Sequence, residues 1–229
     1  MNKFFRIFGI VAVVVVLFAA IIASTTYKPS AREDVWDEAM TIGNLDAKNH
    51  FIIYSDLVCP YCIYFENAIV ENEEQFQKYI SENDILFEVR LSDYLYRYGE
   101  SNPDNSQYSA VAAYCAKNEG KFWDYYNLAV SKVYNEFFKD SGKNGFAKLE
   151  SNNIDYWVGI GEAVGLGEEF KRCAAEGDTL EEVKKTAEKT LEVARGMPYF
   201  KFNNFRTSGF DPSGGWEEVL MYFKAGLSS

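Results

Sequence analysis

The sequence predicts an α/β domain in which a strand–helix–strand unit is followed by a helical insertion and then by two strands and a helix. Three observations carry this prediction. Residues 51–62 change from an apolar run to a helix start, the middle of the chain has helical patterns, and period-two strand patterns return after residue 197. In front of the domain, residues 7–23 form an uncharged apolar run, which predicts an N-terminal transmembrane helix or signal segment.

The apolar run suggests how the chain is divided. We assign residues 1–26 to a signal anchor, 27–49 to a tether and approach segment, and 50–229 to the main domain, with its insertion at about 104–195. Lys3 and Arg6 precede the run, which predicts that the N-terminus lies on the inner, cytoplasmic side of the membrane and the domain on the outer side. We expect the anchor to be uncleaved, and cleavage would instead make the domain a secreted protein.

Size and composition narrow the classes of function. The 229 residues are 48% hydrophobic, which is enough for one substantial core. The formal net charge of −11 argues against nucleic acid as a partner. Aromatic residues make up 17% of the chain, which fits either an aromatic-rich core or a surface that holds unfolded polypeptide.

The first part of the domain is predicted as a strand over 50–57, a helix from about 60 to 81 and a strand over 85–91. This unit implies a parallel strand pair with a right-handed crossover. Residues 92–107 have no clean period and are predicted to be a loop.

The remaining elements follow in order. Helices are predicted at 109–116, from 121 onward, and at 154–164, 167–175 and 178–195, with a polar connection over 139–152. Strands at 198–203 and 205–210 and a last amphipathic helix at 216–225 complete the chain.

The sequence Cys59-Pro60-Tyr61-Cys62 lies at the first strand-to-helix junction. Residues three apart share a helix face, so the two sulfurs can meet. The first cysteine lies among backbone N–H groups that have no helical partner, which favours its thiolate, and Pro60 fits the first turn. We therefore expect Cys59 to be the exposed attacking thiol and Cys62 to be the resolving thiol.

Two other interpretations of the motif are open. A structural zinc site needs four ligands, and beyond the motif the sequence offers only the isolated residues Cys115, Cys173 and His50. We expect no metal and no cofactor, and interpret His50 as a strand-end residue. A purely structural disulfide within the motif would add little stability, because the ring is small.

The element order with its Cys-x-x-Cys resembles the thioredoxin fold with a helical insertion. Residues 41–44, 54–56, 120–125 and 196–200 are similar to the DsbA-like thiol–disulfide oxidoreductases, and the resemblance covers residues 40–224. It implies that Pro198 follows a cis peptide bond and faces the cysteine pair, and that Met197 contacts a substrate strand. Tyr61 stands where oxidising relatives often have histidine, and a tyrosine cannot become cationic.

Three further residues are candidates for a role, Cys115 and Cys173 through the resemblance and Asp56 through its position three residues before the motif. Some relatives have a cysteine pair in the helical insertion, which implies a disulfide between Cys115 and Cys173 if the domain lies in an oxidising compartment; two buried thiols are the alternative. Asp56 is a candidate proton relay for Cys62, and the alternative is a solvated strand-end carboxylate.

As a function, the resemblance implies a membrane-tethered, extracytoplasmic disulfide oxidase. Its partners would be reduced or unfolded secreted polypeptides and a membrane redox protein that resets the cysteine pair. A reductase or isomerase, a helper in metal-centre or cytochrome maturation, and a non-catalytic module that binds unfolded chains are the alternatives.

Overall fold

The structure, a computed structural model, describes residues 34–98, 103–149 and 151–229. The predicted N-terminal transmembrane or signal segment lies outside these residues. Within them, no helix has both the length and the apolar character that crossing a bilayer requires.

A five-stranded mixed sheet lies at the centre of the domain, in the order β1-β3-β2-β4-β5. The strands are β1 (Thr41–Ile42), β2 (Asn49–Ser55), β3 (Ile85–Leu91), β4 (Tyr199–Phe202) and β5 (Phe205–Ser208). Strands β2 and β3 are parallel, as predicted, and the other neighbouring strands are antiparallel. The β4–β5 hairpin turns at Asn203, whose φ of 51° is a left-handed conformation that asparagine tolerates.

Helices cover the sheet and form the insertion. They are α1 (Pro60–Val70), α2 (Glu73–Glu82), α3 (Tyr94–Arg97), α4 (Pro103–Asn118), α5 (Phe122–Val133), α6 (Phe146–Leu149), α7 (Ile154–Ala163), α8 (Glu168–Glu176), α9 (Leu180–Val193) and α10 (Gly215–Leu227). A π-helical turn, Tyr134–Phe138, extends α5. Short 3-10 turns lie at Glu38–Met40, Gly142–Gly145 and Pro212–Gly214. Helices α4 to α9 are the insertion, so the predicted thioredoxin-like order is confirmed.

The prediction of one continuous helix after the cysteine motif is wrong, because α1 ends at Val70 and α2 begins at Glu73. Asn72 lies between them with φ of −121°, outside the helical range. Its side-chain amide donates a hydrogen bond of 2.9 Å to the carbonyl of Ala68, one of the last carbonyls of α1. Asparagine side chains compete with the helical backbone in this way, which explains the break.

Two segments predicted to be irregular contain helices. The predicted loop over 92–107 holds α3 and the start of α4, which begins at Pro103. Proline fits the first turn of a helix because its missing N–H has no partner there. The predicted connection over 139–152 contains α6.

The core between the sheet and its helices is largely aromatic. The ring of Phe51 in β2 lies 4.3 Å from that of Phe223 and 5.2 Å from that of Phe202, centre to centre. Phe65 of α1 lies 4.7 Å from Phe200 of β4, which fixes the first turns of α1 against the sheet. Most of the aromatic content therefore stabilises the core.

The opposite face of the sheet binds the segment before β1. The backbone N–H of Trp36 donates to Glu88 Oε1 at 2.8 Å, and the Arg90 guanidinium lies 4.0 Å from the centre of the Trp36 ring. His50 is a strand residue, with its Nε2 2.9 Å from Glu88 Oε2. Burial opposes ionisation of Glu88, but the bond to His50 and the charge of Arg90 hold its pKa below the usual value.

Candidate active site

The cysteine motif lies where β2 passes into α1. Cys59 is the N-cap of α1, with extended backbone angles, and its carbonyl accepts the N–H of Ile63 at 3.0 Å. Pro60 is the first helical residue and Cys62 lies in the first turn. Both cysteines are free thiols, so the structure represents the reduced pair.

The expectation that Cys59 is exposed is wrong. Only 3% of Cys59 is accessible, and Cys62 is fully buried. Cys59 nevertheless lines a cleft of about 450 Å³, whereas Cys62 does not border it. Of the two sulfurs only that of Cys59 reaches the cleft, so a sulfur entering the cleft would meet Cys59 and not Cys62.

The segment around the late proline reaches the same cleft through Met197, whereas Pro198 itself is not one of the lining residues. The peptide bond between Met197 and Pro198 is cis, and Pro198 is buried. Met197 and Tyr61 line the cleft together with Cys59. The structure thus brings the late proline segment and the cysteine motif to one cavity.

Asp56 is fully buried, so the alternative of a solvated carboxylate is wrong. It accepts hydrogen bonds from the N–H groups of Val58 and Leu95 at 3.0 and 2.9 Å, and from the hydroxyl of Ser106 at 2.6 Å. Burial raises the pKa of Asp56 to about 6, against the opposing effect of these bonds. The carboxylate ties the turn before Cys59 to α3 and α4.

A second buried acid, Glu66, was missed from the sequence. It lies four residues after Cys62, on the same helix face, and the hydroxyl of Ser55 donates to its Oε1. Burial raises the pKa of Glu66 to about 8, so the carboxyl is largely protonated at neutral pH. The sequence did carry a signal for this residue. Glu66 lies four residues after Cys62, on the same face of a mainly apolar helix, so an acid at this position is expected to be buried with the core.

The surroundings of Cys62 favour its protonated form. Burial raises the pKa of Cys62 well above the usual value, and its hydrogen bond to Cys59, together with the charges of Cys59 and Glu66, adds to this effect. A hydrogen bond from the backbone of Asp56 opposes it. In the reduced pair, Cys62 therefore holds its proton, and a leaving thiolate at this position would need one supplied.

Glu66 also borders a small cavity that shares no lining residue with the cleft. Its volume is about 30 Å³, and Trp123 and Tyr126 line it as well. Glu66 therefore lies one helical turn from Cys62 and also contacts this cavity.

The other two cysteines form a disulfide. Cys115 of α4 and Cys173 of α8 are bonded, with a Cα–Cα distance of 6.0 Å. The pairing implied by the resemblance is present in the structure. It fastens two helices of the insertion to each other.

A family model described as thioredoxin, Thioredoxin_4, matches residues 36–207, three quarters of the chain. The chain belongs to the thioredoxin family. No curated protein sequence matches the chain significantly.

Solved structures of DsbA-type proteins share the fold. BdbD from Bacillus subtilis superposes with a TM-score of 0.60 at 14% identity, covering 88% of this chain and 97% of its own. DsbA from Mycobacterium tuberculosis superposes with a TM-score of 0.54 at 16% identity, covering 82% of this chain and 95% of its own. MdbA, a thiol-disulfide oxidoreductase from Corynebacterium diphtheriae, superposes with a TM-score of 0.54 at 18% identity, covering 83% of this chain and 98% of its own.

Family membership and the free Cys59–Cys62 pair at the start of α1 make this chain a thiol–disulfide oxidoreductase of the thioredoxin family, with the fold of the DsbA-type proteins. The predictions of the family and of an enzyme of this class are confirmed at that level.

Proposed function

We propose that the chain is an extracytoplasmic disulfide oxidase that introduces disulfides into reduced secreted polypeptides through Cys59 and Cys62. Residues 1–26 would anchor it in the membrane, and a membrane redox partner would reoxidise the pair. The observation that carries the proposal is the presence of two kinds of cysteine in one chain. A free pair has one of its sulfurs, Cys59, at a cleft, while Cys115 and Cys173 are closed into a disulfide of the kind that persists in oxidising compartments.

The reaction is a pair of disulfide exchanges. A substrate thiolate attacks Cys59 of the oxidised pair, a substrate–Cys59 bond forms, and the Cys59–Cys62 bond breaks with Cys62 as the leaving thiolate. A second substrate thiolate then attacks the substrate sulfur of the mixed disulfide and expels Cys59. The substrate loses two electrons and two protons, and the cysteine pair gains two electrons.

Glu66 is the residue that supplies the proton to the leaving sulfur. The pKa of Cys62 is well above the usual value, so its thiolate is a poor leaving group unless it is protonated as the bond breaks. Glu66 lies one helical turn away, and burial raises its pKa to about 8, so it holds a proton at neutral pH. Asp56, by contrast, is a positioning residue, because its carboxylate oxygens accept hydrogen bonds from the loops around Cys59.

The equilibrium of the cysteine pair with glutathione tests the direction. Known proteins of this fold range from about −270 mV for thioredoxin to about −120 mV for a strong oxidase. We expect a potential less negative than roughly −200 mV, which would let the pair oxidise thiols at the glutathione poise of an extracytoplasmic compartment. A value near −270 mV would instead indicate a reductase.

Trapping separates the enzyme from a non-catalytic binding module. The Cys62→Ala variant lacks the thiol that resolves mixed disulfides, so it should accumulate covalent adducts through Cys59 in cells that express the full chain. The double variant Cys59→Ala/Cys62→Ala is the control and should accumulate none. Equal recovery of non-covalent partners by both variants, with no adduct on either, would support the binding module.

Two measurements test the location. Full-length protein should sediment with membranes and react with a membrane-impermeant maleimide on intact cells after reduction. A variant without residues 1–26 should lose both properties. Labelling only after lysis would contradict an extracytoplasmic domain.

A further inference from the structure

The cleft that reaches Cys59 differs in charge from the rest of the molecule. Two of its lining side chains are cations, Lys143 and Arg195, and none of the lining residues in the described part of the chain is acidic. The chain as a whole carries a formal net charge of −11. A cationic rim on an acidic protein is a local feature that general solubility does not require.

Neither cation is engaged by a carboxylate. Arg195 donates through Nη1 to the carbonyl of Leu191 at 2.6 Å, and within the described residues no acid lies in ion-pair range of it or of Lys143. Some cations elsewhere in the insertion do have acidic partners, as in the pairs of Lys171 with Glu162 and Arg172 with Glu176. The two rim cations are therefore available to a bound molecule.

The same rim carries exposed aromatic side chains. Tyr61 is 39% and Tyr98 is 50% accessible, and they are the exposed aromatic residues of the described part of the chain. Both line the cleft, as do Phe146 and Met197. Aromatic side chains at a rim of this kind bury apolar groups of a partner at low entropic cost, while their hydroxyls stay hydrated.

For a molecule bound in the cleft, the charges of the nearby cations outweigh the net charge of the whole chain. The Debye length is about 8 Å at physiological ionic strength, so carboxylates on the far side of the domain are largely screened from a molecule in the cleft. A polypeptide that places a thiol at Cys59 lies within the field of Lys143 and Arg195. An acidic residue near that thiol is attracted, and a basic residue is repelled.

We propose that the cleft selects reduced polypeptide segments in which the reacting cysteine has an acidic residue and a large apolar or aromatic residue within about three positions. Lys143 and Arg195 select the acid, and Tyr61, Tyr98 and Phe146 bind the apolar side chain. The inference rests on the proposed function, because it requires that substrate thiols react at Cys59.

The test uses the full chain with its pair oxidised and three synthetic peptides that differ only near the reacting cysteine. Each peptide has two cysteines and one phenylalanine, with glutamate, glutamine or lysine next to the first cysteine. Flanking charges also change the reactivity of the thiol itself, so each rate is divided by the rate of the same peptide with hydroxyethyl disulfide, which is uncharged. The measured quantity is the second-order rate constant for reduction of Cys59–Cys62.

We expect the glutamate peptide to react at least tenfold faster than the lysine peptide after this correction, and the ratio to fall towards one in 0.5 M salt. The double variant Lys143→Glu/Arg195→Glu should reverse the preference. The matched control Lys224→Glu/Arg206→Glu makes the same change in net charge at two exposed positions outside the cleft, and it should keep the wild-type ratio.

The outcomes separate the two proposals. Equal corrected rates for the three peptides, or a reversal by the control variant as strong as that by the cleft variant, would overturn the selectivity and leave the oxidoreductase intact. No reaction with any peptide would overturn the proposed function and the selectivity with it. The salt series on the unmodified chain does not depend on whether the variants fold.

Discussion

Glu66 and Cys62 lie on successive turns of α1, and this spacing puts an uncharged acid behind the resolving thiol. Replacing the acid with an isosteric amide tests its role. We expect Glu66→Gln to slow the reduction of the oxidised pair by dithiothreitol roughly 10²-fold at pH 7, the size typical of a lost proton donor. Stopped-flow measurements from pH 6 to 9 should also lose the titration that belongs to Glu66, whose pKa is about 8.

The exposed residue Glu74 on α2 gives the matched control, and Glu74→Gln should react like the wild type. A purely structural Glu66 would change stability without changing the pH profile. Wild-type rates and an unchanged profile in Glu66→Gln would contradict the proton-donor role.

For the individual residues of the site, the sequence predicted the reactive sulfurs but not their surroundings. A Cys-x-x-Cys at a strand-to-helix junction is a local pattern, and the structure places it at the start of α1. The burial of Cys59 and Asp56 arises from α3, α4 and the late proline segment, which are distant in sequence. No local pattern can report a wall supplied by residues so far away in the sequence.

Among the elements, α7 and α8 pack closely at Gly161. A Cβ added there would lie 2.1 Å from Cε1 of the buried Phe170, so the helices would have to separate or the ring would have to move. We expect Gly161→Ala to lower the free energy of unfolding by about 1–3 kcal/mol, as overpacking typically does. Urea denaturation of the oxidised protein measures the change.

Gly159, on the same helix, provides the control. A Cβ at this position meets nothing within 4 Å, so Gly159→Ala should be neutral or stabilising, by up to about 1 kcal/mol of helix propensity. Equal effects of the two substitutions would mean that helix propensity, and not packing, sets the stability of this pair.

The elements were predicted well where a period was long and clean. The parallel β2–β3 pair, the three helices of the later insertion and the final hairpin agree with their sequence patterns. The break between α1 and α2 was missed because Asn72 acts through one side-chain hydrogen bond, which leaves the hydrophobic period on both sides intact. Helix α3 was missed because four residues are too few to show a period.

For the whole molecule, the Cys115–Cys173 disulfide closes a loop with a sequence separation of 58 residues. In the chain-entropy treatment this is worth roughly 4 kcal/mol, so Cys115→Ala/Cys173→Ala should lower the unfolding free energy by about that amount. Exchange at Cys59 should keep its rate under native conditions, because neither residue borders the cleft. A loss of exchange in a folded variant would contradict a purely structural disulfide.

The buried acids also set how stability depends on pH. Burial raises the pKa of Glu66 from 4.5 to about 8, so between these values the unfolded chain has released a proton that the folded chain still holds. Protonated Glu66 therefore contributes its full stabilisation of the folded state below about pH 4.5. This stabilisation is lost as the pH rises towards 8, and the loss amounts to up to about 5 kcal/mol. Asp56, whose pKa is raised from 3.8 to about 6, changes the stability in the same direction over a lower pH range.

Urea denaturation of the reduced protein at pH 5 and pH 8 measures this loss. We expect lower stability at pH 8, and Glu66→Gln should remove most of the difference because glutamine does not titrate. Equal stability at the two pH values in the wild type would mean that Glu66 ionises as easily in the folded protein as in the unfolded chain.

The cleft takes its residues from both parts of the domain. Cys59, Tyr61 and Met197 belong to the thioredoxin-like portion, whereas Lys143 and Phe146 belong to the helical insertion, where the disulfide joins α4 to α8. Partner choice is thus encoded in part by a stretch of chain that does not carry the reactive cysteines. Exchanging the insertion for that of a homologue would change the clients that the enzyme accepts, while Cys59 and Cys62 themselves were retained.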